Sequence, residues 1–563
     1  METLMTRGKK KLLIWLAIIV AVILLVSLSG MLPQGSVLVL EVNGELEEQK
    51  GPGVLAELSG SSITVVPQMA DAIRFAKDDD RIRGLVLKIS GPESGWAKLQ
   101  ELRGAVADFR KSGKPTICYL SSDIPDNGDY YLATACEQVW LVPTATLGIT
   151  GMRAQALFIR GTLEKLGIFP DFYGFHEYKT ARDFYTEKKY TAANREMSES
   201  LIRSIYAQFL ADVAAARKME KDKLDALVRK GPFLTSEALA EKLVDRAAYW
   251  DEVQTFFKEK NEEWRPVGLN RYSKEIVNLG GEKIAVVHAT GAIVVGESTW
   301  TPATGFVMGS DSVAADLRSV RQDPAVKAVI LRVDSPGGSA VASEIIRREV
   351  VLTKKEKPVI VSMSDVAGSG GYWISMSADR ILADPSTITA SIGVVFGKMN
   401  VSGFYNLLGL STDSVATSDN AYLWNEQRSF SPEQRETIRK FMREIYTNFT
   451  QGVADGRKMK LEAVEKIAKG RVWTGEQAKG LGLVDEVGGF DAALAEARKA
   501  ANLAADAKVE IVRYPAEKPW WQALLGKDDS QTILLRAVSE EIRRARSLSN
   551  SVQARMPVEY KIR

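Results

Sequence analysis

The chain carries one module twice, and each copy has lost a different part of one motif set. Any fold for it must therefore be a pair of like domains. The second copy reads Val333-Asp334-Ser335-Pro336-Gly337-Gly338, then Ala367-Gly368-Ser369-Gly370-Gly371-Tyr372-Trp373. The first reads Ile89-Ser90-Gly91-Pro92-Glu93-Ser94, then Pro125-Asp126-Asn127-Gly128-Asp129-Tyr130-Tyr131. Aligned, Asn127 stands at the position of Ser369, and Glu93-Ser94 at the position of Gly337-Gly338. Further along the loss reverses, because Tyr178-Lys179-Thr180-Ala181 falls on Asn420-Ala421-Tyr422-Leu423. The serine survives only in the second copy and the lysine only in the first. That pattern points to one composite Ser–Lys site built from both halves.

The repeat runs on through Ser36-Val37-Leu38-Val39-Leu40 against Lys283-Ile284-Ala285-Val286-Val287, and through Leu243-Val244-Asp245 against Leu483-Val484-Asp485. Its period has the length of a domain, far beyond that of a solenoid unit. Within each copy, short apolar runs (Ile82 to Ile89 and Pro115 to Leu120; Val326 to Val333 and Pro358 to Ser362) read as buried strands. Helical stretches lie between them, Leu99 to Lys111 and Ser343 to Lys355. Longer helical runs follow, Ala192 to Arg217 and Pro432 to Arg457. The alternation predicts an α/β fold with parallel strands covered by helices. Residues 246 to 282 read as a connector, and Gln531 to Arg546 as an amphipathic helix with a basic end.

Leu12 to Leu28 is apolar throughout except for Ser27, and Arg7, Lys9, Lys10 and Lys11 precede it. A cleaved signal peptide competes with an uncleaved anchor here, but the run is longer than the apolar region of such peptides. The expected organisation is a basic cytoplasmic tail over 1–11, a transmembrane anchor over 12–32, domains over 36–270 and 283–515, and a C-terminal tail over 516–563. The basic flank keeps the N-terminus in the cytoplasm, so the bulk of the chain is expected outside the inner (cytoplasmic) membrane. A net charge of +3, with no basic stripe interleaved with aromatics, gives no case for nucleic acid. Two cysteines, Cys118 and Cys136, are too few for a disulfide scaffold or a Cys-rich zinc pattern, and their apolar settings favour buried free thiols.

Ser369 follows a strand-like run and precedes a helix that opens with Gly370-Gly371. A helix N-terminus presents unpaired N–H groups, which stabilise the charge that develops in acyl transfer. Gly337-Gly338 is a second loop of the same kind, which makes the N–H groups of Gly338 and Gly370 the candidate oxyanion donors. A serine needs a base. Only His176 and His288 are available as imidazoles, and His288 lies inside an apolar strand, where a satisfied core position is the better reading. Lysine can serve once burial lowers its pKa, since at its free value only about one in a thousand is neutral near pH 7.4. Spacing alone does not choose Lys179 over Lys188 or Lys189.

Lys327 to Val394 resembles the catalytic region of the S49 serine peptidases, and the resemblance to two-domain members of that family covers about residues 10 to 515. It implies that Ser369, in Ser-Gly-Gly-Tyr, is the nucleophile. It implies that Lys179, in a Tyr-Lys-Ser/Thr-Ala motif with Thr180 at the variable place, is the general base. It also implies that Ser391, in Ser-Ile-Gly, orients the lysine. The implied fold is two tandem crotonase/caseinolytic-protease-like domains after an N-terminal transmembrane helix. The implied protein is a membrane-bound homo-tetramer that needs no cofactor or metal and cleaves signal peptides. Two readings from other classes stand beside it: an acyl-transfer or coenzyme-A enzyme on the same fold, and an inactive membrane scaffold.

Overall fold

The computed structural model describes residues 32–51, 63–258, 263–276, 280–301, 304–505, 507–516 and 553–555. The expected anchor over 12–32, apart from Leu32, the basic tail before it, and the helix expected over Gln531 to Arg546 all lie outside the described residues. Among the described residues no helix is long and apolar enough to cross a membrane.

Two sheets repeat one topology. In the first, the strand order is Pro266–Gly268, Ser36–Glu47, Ile82–Glu93, Thr116–Leu120, Gln138–Leu141, Arg246–Ala247, all parallel. In the second, Val509–Tyr514, Glu282–Thr290, Val326–Ser335, Val359–Gly368, Arg380–Ala383 and Glu486–Val487 follow each other in the same order, again all parallel. The sequence repeat is thus a repeat of α/β architecture. Helices on both faces explain why the strands read as unbroken apolar runs. Along Val326–Ser335, Val329, Leu331 and Val333 enter one core, whereas Ala328 and Ile330 enter a second, beneath the helix Phe490–Ala500. Leu85, Leu87 and Ile89 divide from Val86 in the same way, and the helix Trp250–Lys258 covers the second face. Cys118 and Cys136 are buried and free.

Two expectations need correction. Residues 246 to 282 are not a bare connector. They hold the helix Trp250–Lys258, the strand Pro266–Gly268 and the helix Leu269–Glu275, and that strand pairs with Ser36–Glu47 at the edge of the first sheet. The helices expected from Leu99 and Ser343 begin a turn earlier, as Trp96–Arg110 and Ala340–Lys354. The Ser339 side chain accepts a hydrogen bond from the Ala342 N–H and so caps the second of these. The first has no cap of its own.

The halves are joined by a third sheet that neither half completes. Phe169–Gly174 of the first half pairs antiparallel with Val395–Asn400 of the second over six residues. The long helix Ala192–Arg217 lies across the second half, where Met197 and Leu201 pack on Ile388 and Val472, and Ser204 meets Thr474 at 2.9 Å. Buried Arg332 adds a cross-half ion pair, with Glu48 at 2.8 Å and Glu101 at 2.6 Å.

Candidate active site

The central strand Val359–Gly368 ends at Gly368, and Ser369 turns the chain into the short helix Gly370–Ser375. Ser369 takes φ 55° and ψ −109°, a conformation that costs a non-glycine residue about 1–3 kcal/mol. Its N–H donates to the Ala390 carbonyl at 2.7 Å, and its own carbonyl accepts from the Trp373 N–H at 2.8 Å. Both bonds hold the side chain at the strand's C-terminal end. Gly370 must be glycine because a Cβ there would stand 2.6 Å from Ser343 Oγ and 3.1 Å from the Gly337 Cα. That close approach brings the Pro-Gly-Gly loop against the serine loop. As the first helical residue, Gly370 has an N–H with no intrahelical partner. Gly338 lies in the strand Gly337–Ser339, opposite Ile293 on one side and Ala554 on the other.

Lys179 arrives from the other half. The strand Phe169–Gly174 carries the chain along Val395–Asn400, then the Phe175 N–H donates to the Val394 carbonyl at 2.8 Å and the Tyr178 N–H to the Lys469 carbonyl at 3.2 Å. The 3-10 turn Thr180–Arg182 follows. The result is that Lys179 Nζ lies 2.7 Å from Ser369 Oγ, 2.8 Å from the Ser391 carbonyl oxygen and 3.0 Å from Ser391 Oγ. Lys179 is 1% exposed, and Ser369 and Ser391 are fully buried. Burial alone drives the Lys179 pKa well below the usual lysine range, with no carboxylate offsetting it. Lys179 Nζ is within donating distance of Ser369 Oγ and of both Ser391 oxygens.

The other candidates stand apart from this centre. Lys188 is an exposed partner of Glu164 at 2.6 Å, and Lys189 is exposed. His176 packs edge-on against Phe175 and also lies against Tyr446, and burial lowers its pKa. His288 is buried and held down to about 3 by burial, but its Nδ1 has no hydrogen-bond partner, so the satisfied position expected for it is only half realised. In the first copy Asn127 donates to the Gly151 carbonyl at 3.0 Å. In the second, Ala421 at the lysine's position is exposed.

Three features of the site were not read from the sequence. Gly470, at φ +86°, leaves room for the lysine backbone, since a Cβ there would stand 2.5 Å from the Lys179 nitrogen. The available signal was the repeat itself, with Lys469-Gly470 opposite Lys230-Gly231. Arg471 lies over the Tyr178 ring and pairs with Glu196 at 2.7 Å, while Glu196 accepts from the Tyr178 hydroxyl at 2.6 Å, which clasps the lysine loop across the halves. Finally, the strand Gln553–Arg555 lies between Gly337–Ser339 and Val395–Asn400, antiparallel to both. The edges beside the serine therefore receive an extended chain by backbone pairing.

A serine hydroxyl within hydrogen-bond reach of a buried lysine, beside a helix N-terminus and paired strand edges, is an arrangement of the kind serine hydrolases use. Comparison with known proteins gives the family. The profile of Peptidase family S49 matches residues 108–263 and again 352–504, more than half of the chain. "Serine protease SPPA, chloroplastic" of Arabidopsis thaliana is 33% identical over 93% of this chain and 78% of its own length. "Protease 4" of Salmonella typhi is 36% identical over 77% of this chain and 72% of its own. "Putative signal peptide peptidase SppA" of Enterococcus faecium is 33% identical over 42% of this chain and 69% of its own. The chain belongs to peptidase family S49 and is a serine endopeptidase acting on peptides.

Proposed function

We propose that this endopeptidase works through a Ser369–Lys179 dyad assembled from its two halves, and that it degrades released signal peptides and other short apolar peptides. The observation that carries the proposal is the 2.7 Å separation of Lys179 Nζ and Ser369 Oγ in a site where burial lowers the lysine pKa. Ser369 Oγ attacks the scissile carbonyl carbon as its proton passes to Lys179 Nζ. The N–H groups of Gly370 and Gly338 are the proposed donors to the oxyanion, and Ser391 holds the ammonium that has formed. Lys179 returns the proton to the departing amine, and the C–N bond breaks. Water then loses a proton to Lys179 and attacks the ester, and Ser369 leaves with that proton.

Backbone pairing at these strand edges suits an extended chain of little fixed sequence, and the name of the Enterococcus relative supports signal peptides as the class. The fold of each half is read as crotonase- or caseinolytic-protease-like. Residues 12–32 would anchor the protein in the inner (cytoplasmic) membrane with its bulk outside, where signal peptides are left after secretion. Four chains would form a bowl around the sites. The test is mass-spectrometric mapping of a fluorophosphonate adduct on the intact protein. A single adduct on Ser369, lost together with peptide cleavage in Lys179→Ala, is the expected result. Labelling elsewhere, or cleavage that survives Lys179→Ala, would refute the dyad.

A further inference from the structure

The loss of the glycine loop in the first copy has left a joint between the halves. In the second copy the helix after that loop is capped by its own Ser339. The equivalent residue in the first copy is Gly95, which has no side chain to cap with. The cap comes from the other half. One Asp365 carboxylate oxygen accepts from the Gly95 N–H at 3.1 Å and the other from the Lys98 N–H at 3.0 Å. A Cβ on Gly95 would stand 2.3 Å from Asp365 Cγ, so the glycine makes the contact possible. The same helix answers with its own charge. Lys98 Nζ lies 2.8 Å from Asp334 Oδ2 and 3.3 Å from Asp365 Oδ2. All three side chains are largely buried.

The two aspartates occupy particular places. Asp334 ends the apolar run of its strand and leads through Ser335-Pro336 into Gly337-Gly338, and Asp365 leads through Val366-Ala367-Gly368 into Ser369. Asp334 also accepts from the Val366 N–H at 3.1 Å, at the point where the two strands lose regular register. One ammonium group from the first half thus ties the stems of both loops that bear the serine and the proposed oxyanion donors. Without it, two buried carboxylates would face each other unpaired, an arrangement that proteins relieve by moving the groups apart or by taking up a proton.

We propose that Lys98 is a positioning residue for the reaction: by balancing the charges of Asp334 and Asp365 it fixes the spacing of the Gly338 and Ser369 loops. The proposal rests on Ser369 being the nucleophile, which wild-type fluorophosphonate labelling at Ser369 tests separately. The experiment compares Lys98→Met and Lys98→Met/Asp334→Asn in the full-length protein, reading kcat, KM, the rate of fluorophosphonate acylation and thermal midpoint. Lys98→Met should lower kcat and acylation together by about 10²-fold, as misplacement of about an ångström does, with KM within about threefold of wild type. The double variant, which removes one negative charge along with the positive one, should recover kcat and acylation to within about threefold of wild type. A Lys98→Met protein that melts earlier but keeps wild-type kcat and acylation rate per folded molecule would reduce Lys98 to a structural role and overturn the proposal. Should Lys98→Met fail to fold, the double variant decides alone. Near-wild-type turnover supports charge balance, and a loss of about 10²-fold in a folded protein overturns it.

Discussion

Lys179 is the residue at which this site departs most from ordinary protein chemistry. A lysine side chain fully buried against two serines carries its burial as a free-energy cost, and that cost is what would fit it to the proposed role of base. Activity should therefore rise with pH through an apparent pKa well below the usual lysine value, and a kcat/KM profile of wild type against His176→Ala should be superimposable. Ser369→Ala and Lys179→Ala should each remove nearly all turnover, and the double variant should be little worse, because groups that act as one unit are non-additive. The same burial predicts a stability signature. In the folded state burial lowers the Lys179 pKa well below the usual lysine value, whereas unfolding lets it hold a proton up to about pH 10.4. The unfolded state then holds the extra proton, so this group destabilises the fold at neutral pH and the penalty fades as pH rises towards that value. Lys179→Met, of similar volume, should thus melt higher than wild type near pH 7, and the difference should shrink steadily up to pH ~10 in calorimetry. A difference independent of pH would mean that the lysine is charged when folded. Local sequence shows little of this. Glycines mark Ser369 as a tight turn, but nothing around Lys179 distinguishes it from Lys188, because the burial that lowers its pKa is supplied by the other half. The resemblance to a family had to make that choice.

At the scale of elements, what was legible followed from periodicity. The strands Ile82–Glu93 and Val326–Ser335 are sandwiched between two cores, so their continuous apolar runs identify them from sequence alone. Both helices start a turn before their apolar pattern begins, because Ser339 caps Ala340–Lys354 from outside that pattern and the cap of Trp96–Arg110 is Asp365, far away in the chain. The strand Pro266–Gly268 has three residues and a proline, too few to show alternation, and it exists because Ser36–Glu47 offers an edge. Gly470 shows the same dependence on partners. Gly470→Ala would need both a left-handed backbone at an alanine and a Cβ 2.5 Å from the Lys179 nitrogen. Relief must come from moving the lysine loop, so kcat should fall by about 10²-fold, as for an ångström-scale misplacement. Gly104→Ala, at a helical position where a Cβ meets nothing within 4 Å, is the control and should leave kcat unchanged. Equal kcat in the two variants would show that the lysine loop tolerates displacement.

For the whole molecule, the sequence repeat predicts that two halves must meet but leaves open whether they meet within one chain or between neighbours. The structure brings Lys179 and Ser369 of the same chain to 2.7 Å, through a strand pairing and a long helix that both run from the first half onto the second. Each chain is then complete in itself, whatever number assembles. This has a direct consequence for mixed oligomers. If Ser369→Ala chains are co-assembled with Lys179→Ala chains, every chain lacks one member of its own dyad. Exchange could restore activity only by swapping one half for that of a neighbour. Such a swap would require the interface between the halves, with its six-residue strand pairing and the buried Arg332–Glu48–Glu101 cluster, to open before it could re-form with the neighbour's half, a step that chains already folded do not need to take when they assemble. Mixed oligomers, verified by native mass spectrometry with differently labelled chains, should therefore cleave peptides no faster than either variant alone. Wild-type chains diluted into an excess of either variant should keep their activity per wild-type chain. Recovery of even a quarter of wild-type turnover in the two-variant mixture would place the dyad across a subunit boundary and reverse the intrachain assignment.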